Sequence, residues 1–171
     1  MMVGVGAKIG VEKAASLRTA AVVALTLSFV YCIAAAAWYV VPWLRDVERS
    51  AALVPLIWVH VFRHVALQAF GAATRGFDVP HHVRDRIVYG DLASSVLAFA
   101  SLAALKFELT AAVPLVWIFS VVGMLDLVSA MIGGLRSNAF SKAFDVTWLI
   151  LTFYVPILWT THALIVWKLL D

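Results

Sequence analysis

The chain is 171 residues long, 64% hydrophobic and 13% charged, with a mean hydropathy of +0.97. Soluble domains are about 45–50% apolar and about 25% charged. Too few charges are present here to cover a water-facing surface, which excludes a soluble globular domain. The length accommodates roughly four to six membrane spans of about 20 residues each, read as one compact membrane domain over residues 1–171. The formal net charge of +3 is a modest excess that membrane topology explains. No basic cluster with interleaved aromatics lies outside the apolar runs, so nucleic acid is not an expected partner. The single cysteine, Cys32, sits in an apolar run and forms no intrachain disulfide.

The first apolar run covers about Leu17 to Leu44 and follows Lys8, Lys13 and Arg18. The positive start and the small residues Ala34 to Ala37 imitate a secretory signal, but Trp38, Tyr39 and Trp43 suit an interfacial belt, and an uncleaved first span is expected. The second run, about Ala51 to Ala73, follows the polar hinge Arg45 to Ser50. A polar connector, Thr74 to Arg86, holds Gly76, Pro80 and seven ionisable residues including His81 and His82. The third run covers about Ile87 to Leu105. A tight turn over Lys106 to Thr110 leads to the fourth, about Ala111 to Ile132, which Gly133-Gly134 is expected to stop. The fifth covers about Ala143 to Leu169. Pro55 and Pro114 are placed in first turns, where proline is tolerated, and Pro156 is expected to kink the last helix. Trp38, Trp58 and Trp159 are deep enough to fill a core.

The expected fold is therefore an all-α integral membrane bundle of five transmembrane helices. With the amino terminus inside, one face receives Lys8, Lys13, Arg18, Arg75, Arg84, Arg86, Arg136 and Lys142, and the other Arg45, Arg49, Lys106 and Lys168. The positive-inside rule then favours N-in and C-out.

Ionisable residues within spans are rare and face a bundle interior, a partner charge or a pathway. The second run carries His60, Arg63, His64 and Gln68; the third carries Asp91, and the fourth Asp126. At about 1.5 Å per residue, Arg63 lies roughly 20 Å below the outer boundary, Asp126 roughly 23 Å and Asp91 roughly 24 Å. Opposite charges on three helices thus share one layer. His60, His64 and Gln68 follow i, i+4, i+8 spacing, which predicts one helical stripe with Arg63 on its flank. Ser94 and Ser95 near Asp91, and Gly123 and Ser129 near Asp126, allow close helix approach.

Four readings of this cluster stay open. A clasp pairs Arg63 with Asp91 or Asp126 and specifies which helices pack. A proton relay or transport route runs through His60, His64, Asp126, Asp91 and Asp145, with His162 continuing it outward. A b-type haem would take His60 and His162, roughly 15 Å and 9–11 Å deep, as axial ligands, with His64 left without a mate. A zinc site would use His60-x3-His64 with Asp91 or Asp126 as third ligand. In the connector, His81, His82, Arg84 and Arg86 form a solvated cytoplasmic face with a secondary capacity for lipid headgroups. The expected partners are the bilayer and a second copy or a larger membrane complex, because five spans make a small scaffold.

The segments Tyr89-Gly90-Asp91-Leu92, Val116-Trp117-Ile118-Phe119 and Gly123-Met124-Leu125-Asp126-Leu127 resemble a group of small bacterial multi-span membrane proteins, with similarity from His60 to His162. The resemblance implies a bacterial inner membrane and brings no activity with it.

Overall fold

A computed structural model describes residues 3–171, with side chains from residue 15 onward. Lys8 and Lys13, counted above for orientation, lie outside the described side chains. All regular structure in the described residues is helical. Five helices are long and apolar enough to cross a membrane: α1 (Ala15–Asp46), α2 (Arg49–Thr74), α3 (His81–Lys106), α4 (Ala112–Arg136) and α5 (Asp145–Leu170).

The ends follow local chemistry. α3 begins six residues before the expected Ile87, at His81, directly after Pro80. Proline fixes φ in a helix-compatible range and needs no hydrogen-bond partner of its own. The second half of the polar connector is therefore helix. α4 runs through Gly133-Gly134 to Arg136 rather than stopping there. The turn is made by Asn138 at φ 54°, in the left-handed region that asparagine tolerates. Gly133 serves packing instead: a Cβ there would meet Val83 Cγ1 at 3.0 Å.

The prolines also act differently from expectation. Pro55 is the seventh residue of the α-helical stretch Arg49–Val61, well past the first turn. Two π turns, Ala36–Val40 in α1 and Ile150–Tyr154 in α5, each end two residues before a proline, Pro42 and Pro156. A proline ring clashes with the carbonyl four residues earlier, and a widened turn makes room for it. The disturbance from Pro156 is thus taken up one turn before it.

Helices α2, α3, α4 and α5 close a ring, each packed on the next, and α1 lies against α5 and the short helix Ala139–Lys142. The most extensively packed pair is α3 with α4, and Gly90 permits it. A Cβ on Gly90 would overlap the Asp126 side chain, and one on Gly123 would stand 2.6 Å from His162 Nε2. Trp38 (71% exposed) and Trp58 (44%) face outward rather than filling a core. Much of α1 is similarly exposed: only Ala21, Ala36 and Leu44 of its described residues are buried.

Two apolar layers bracket the middle of the bundle. Leu53, Leu56, Ile57, Leu102, Val116, Phe119, Ile165 and their neighbours fill the end that holds the α1–α2 and α3–α4 connections. Ala72, Phe77, Val79, Ala139 and Ala143 seal the other, where Lys142 Nζ donates to the Asp78 carbonyl at 2.5 Å. Replacing Gly90 with valine forces the Asp126 carboxyl off its position. We expect a loss of about 1–3 kcal/mol, read as a lowered melting temperature in detergent, with the wild-type melt as reference.

Candidate functional site

The site begins with a break in α2. Its α-helix gives way to a 3₁₀ segment over Phe62–Leu67. At three residues per turn, residues three apart eclipse each other, so Arg63 and Ala66 both point inward and are buried. His64, about 120° further round than Arg63, turns to the outside, where its ring Nδ1 meets the Val61 carbonyl at 2.9 Å. The expected His60–His64 stripe is therefore not formed, because it assumed an unbroken α-helix. Irregular backbone within an apolar slab needs outside partners for its polar groups. Tyr154 Oη donates to the Val59 carbonyl at 2.6 Å, and Ser95 Oγ to the Val61 carbonyl at 2.5 Å. Side chains from α3 and α5 thus hold the break in place.

Arg63 is the largest fully buried side chain. Its Nε donates to Asp91 Oδ1 at 2.6 Å, its Nη2 to Asp126 Oδ2, and its Nη1 to the Gly123 carbonyl at 3.3 Å. The guanidinium fork therefore engages both acids at once, where pairing with one or the other was expected. One residue ties together α2, α3 and α4. The planar five-donor geometry of arginine permits this; a lysine point charge does not.

A turn away, His60 and His162 meet ring to ring, with centroids 4.0 Å apart. Both are fully buried, and Phe119 packs against each, with centroids 5.2 and 5.1 Å away. His60 Nε2 lies 2.9 Å from Thr161 Oγ1. The residue-counting depths put these histidines about a turn apart; helices tilted by about 20° shift such depths by several Å. Among the described residues, the buried side-chain polar atoms without a hydrogen-bond partner include His60 Nδ1 and both ring nitrogens of His162; the others are Ser94 Oγ, Ser120 Oγ and Trp159 Nε1.

Neither cofactor reading fits this arrangement. A bis-histidine haem sits between its two imidazoles, and rings in direct contact leave no gap for a macrocycle. The zinc reading needed His64, which faces away. Among the described residues, no group of three or more His, Cys, Asp or Glu side chains stands ready to hold a metal.

Gln68 is part of a neighbouring pair rather than of the triad. Its Nε2 donates to Thr147 Oγ1 at 3.0 Å. Both line a cavity of about 90 Å³ whose walls also include Arg63, Asp91, Tyr154 and Arg84. The cavity extends from the triad towards Phe77 and Val79 at the connector end. Arg84 is held there by Asp85, with Nε at 2.8 Å, and lies over the Phe70 ring, 4.9 Å from its centroid. Asp145, placed in the expected relay, is exposed at the start of α5. Thr147, Tyr154 and Thr161 were not singled out from sequence. Each sits on α5, and each is an uncharged polar residue of a kind common in apolar helices.

Fold and site together define an all-helical protein of membrane-span dimensions, compatible with an integral membrane protein, with a buried aspartate–arginine–aspartate triad beside a histidine pair. Residues 20–170 match a domain of unknown function, DUF8737, and the chain belongs to that family. The match covers every residue of the triad and both histidines. No curated protein and no solved structure matches the chain.

Removing the guanidinium strands two acids in an apolar interior. Arg63→Ala is expected to cost about 3–5 kcal/mol, seen as a collapsed thermal transition. Adding Asp91→Asn and Asp126→Asn to that variant should restore much of the loss; a triple variant as unstable as the single one would show that packing, not charge, dominates at this position.

Proposed function

We propose that this protein handles protons within a bilayer, as a small transport or proton-relay protein built on the Asp91–Arg63–Asp126 triad. The observation that carries the reading is the charge count: one guanidinium faces two carboxylates in a largely buried site. With both acids ionised the triad holds a net negative charge, and a single proton makes it neutral. Buried uncompensated charge is costly in an apolar slab. Taking up and releasing one proton is therefore the smallest change of state such a cluster supports.

The surroundings favour the same reading. His60 and His162 stand beside Arg63 with free ring nitrogens, and histidine is the side chain best suited to pass a proton near neutral pH. The 90 Å³ cavity supplies an approach to Asp91 and Arg63 from the connector end. A water's share of liquid volume is about 30 Å³, so the space suits a few waters. The apolar layer around Leu53, Ile57, Val116 and Phe119 closes the opposite side. A site approached from one side and closed on the other is the arrangement expected of one state in an alternating-access cycle.

In this proposal the chain spans a bacterial inner membrane with its amino terminus and the connector end in the cytoplasm, following the Lys/Arg asymmetry. A second copy or a larger complex is part of the proposal, because five spans make a small scaffold. One further reading has a specific observation behind it. Arg63 bridges three helices, so the triad doubles as a clasp that specifies their packing.

Proton flux into proteoliposomes carrying an internal pH dye separates these readings. Asp126→Asn keeps the shape and hydrogen-bonding capacity of the side chain but removes its ionisation. Flux should fall to the level of empty liposomes while the melting temperature changes little. Unchanged flux in a folded Asp126→Asn protein would sink the proton reading and leave the clasp.

A further inference from the structure

A second cavity lies at the connector end, outside the triad. It has a volume of about 510 Å³ and is lined by Pro80, His82, Val83, Arg86, Ile132, Gly133, Arg136 and Ser137. It forms where the first turns of α3 cross the last turns of α4. The close approach of Gly133 to Val83 and Arg86 sets its floor.

Its chemistry is one-sided. Two guanidinium groups and an imidazole converge there, and no carboxylate is among the lining residues. Arg86 spends one Nη2 donor on the Ser129 carbonyl at 2.8 Å, which fixes the side chain over the cavity and leaves its other donors free. Ser137 adds a hydroxyl. The backbone N–H groups of His81 and His82, at the start of a 26-residue helix, have no intrahelical acceptor. Arginine forks match phosphate oxygens in two-point contacts. The other two connector residues expected to bind headgroups behave differently. Arg84 turns inward to Asp85 and the triad cavity, and His81 lines neither cavity. Arg136, noticed from sequence only as a topological charge, takes their place.

We propose that this pocket binds a phosphate group, and that the phosphate belongs to the headgroup of an anionic phospholipid. The choice of a lipid over a soluble anion rests on what adjoins the basic rim. Leu125, Val128, Ile132 and Leu135 of α4 are all exposed, at 65%, 42%, 43% and 57%. Their spacing of three, four and three residues keeps them on one helical face. That ridge leads along α4 to Ile132 at the pocket wall. An acyl chain laid along it places a glycerophosphate between Arg86 and Arg136. A soluble phosphate would make no use of the ridge.

Native mass spectrometry tests this on the full chain released from micelles containing equal amounts of phosphatidylglycerol and phosphatidylcholine. The wild type should retain phosphatidylglycerol preferentially. Each surface arginine near an anionic headgroup contributes roughly fivefold, so Arg86→Gln with Arg136→Gln should lower that retention by roughly 30-fold and leave phosphatidylcholine unaffected. Arg75→Gln, a charge removed at the same end but outside the pocket, should change nothing. Equal losses in the Arg75→Gln protein would replace the pocket with diffuse surface charge and overturn the proposal, as would equal retention of the two lipids by the wild type. Inorganic phosphate displacing the lipid at comparable concentration would assign the site to a soluble anion and overturn the lipid choice. Should the double variant unfold, Arg136→Gln alone leaves the Arg86–Ser129 contact in place and carries the same test with a roughly fivefold loss.

Discussion

Burying a guanidinium in an apolar helix bundle is the constraint around which the rest of the structure is arranged. The charge is costly unless every donor finds an acceptor and an opposite charge stands close by. Arg63 meets that requirement from two other helices, with Asp91 on α3, Asp126 on α4 and the Gly123 carbonyl. The need to bring two carboxylates within reach of one fork draws α3 and α4 together, which requires glycine where Asp126 presses on α3, and glycine again where the His162 imidazole of α5 presses on α4. The electrostatic demand and the steric permission are met by neighbouring residues: Gly90 precedes Asp91, and Gly123 lies one turn before Asp126.

The break in α2 follows from the same demand. In a continuous α-helix His60, His64 and Gln68 would share a stripe, with Arg63 at its edge. The 3₁₀ turn moves Arg63 to the centre of the inward face and His64 out of the bundle. The energetic penalty of irregular backbone in an apolar environment is offset by Tyr154 and Ser95, which engage the carbonyls at the junction. The helix thus changes its winding where it carries its charge, and neighbouring side chains hold the change in place. The π turn of α5 lies at the same level and contributes Tyr154 itself.

This division explains which features were legible in the sequence. Hydrophobic run lengths located all five helices, because span length and composition depend on the chain alone. Counting rise per residue placed Arg63, Asp91 and Asp126 in one layer, since depth survives small errors in helix ends. Azimuth did not survive. The expectation for His64 depended on 3.6-residue periodicity, and nothing local in Val61-Phe62-Arg63-His64 announces a 3₁₀ turn, which is held by residues 34 and 95 positions from their partners. The meeting of His60 with His162 was underestimated for a related reason, because helix tilt is a property of the packed bundle. Arg136 escaped notice as a ligand because its partners in the second cavity lie across a helix crossing that only the fold creates.

The two cavities lie at one end of the bundle, and their chemistry differs in a way that bears on mechanism. The interior one is mostly apolar and ends at a guanidinium paired with two carboxylates. The peripheral one carries uncompensated cationic charge at the rim of the helices. The two differ in the groups they offer, a guanidinium with a carboxylate inside and guanidinium groups with an imidazole at the rim. The α3–α4 crossing nonetheless connects them physically: Gly133 and Arg86 form the peripheral floor, while Gly90 and Asp126 form the triad wall on the same pair of helices. A shift between α3 and α4 that opens one contact is transmitted along two stiff helices to the other, about one to two turns away. The triad and the rim therefore border one structural element, the α3–α4 contact, whose tightness depends on glycine.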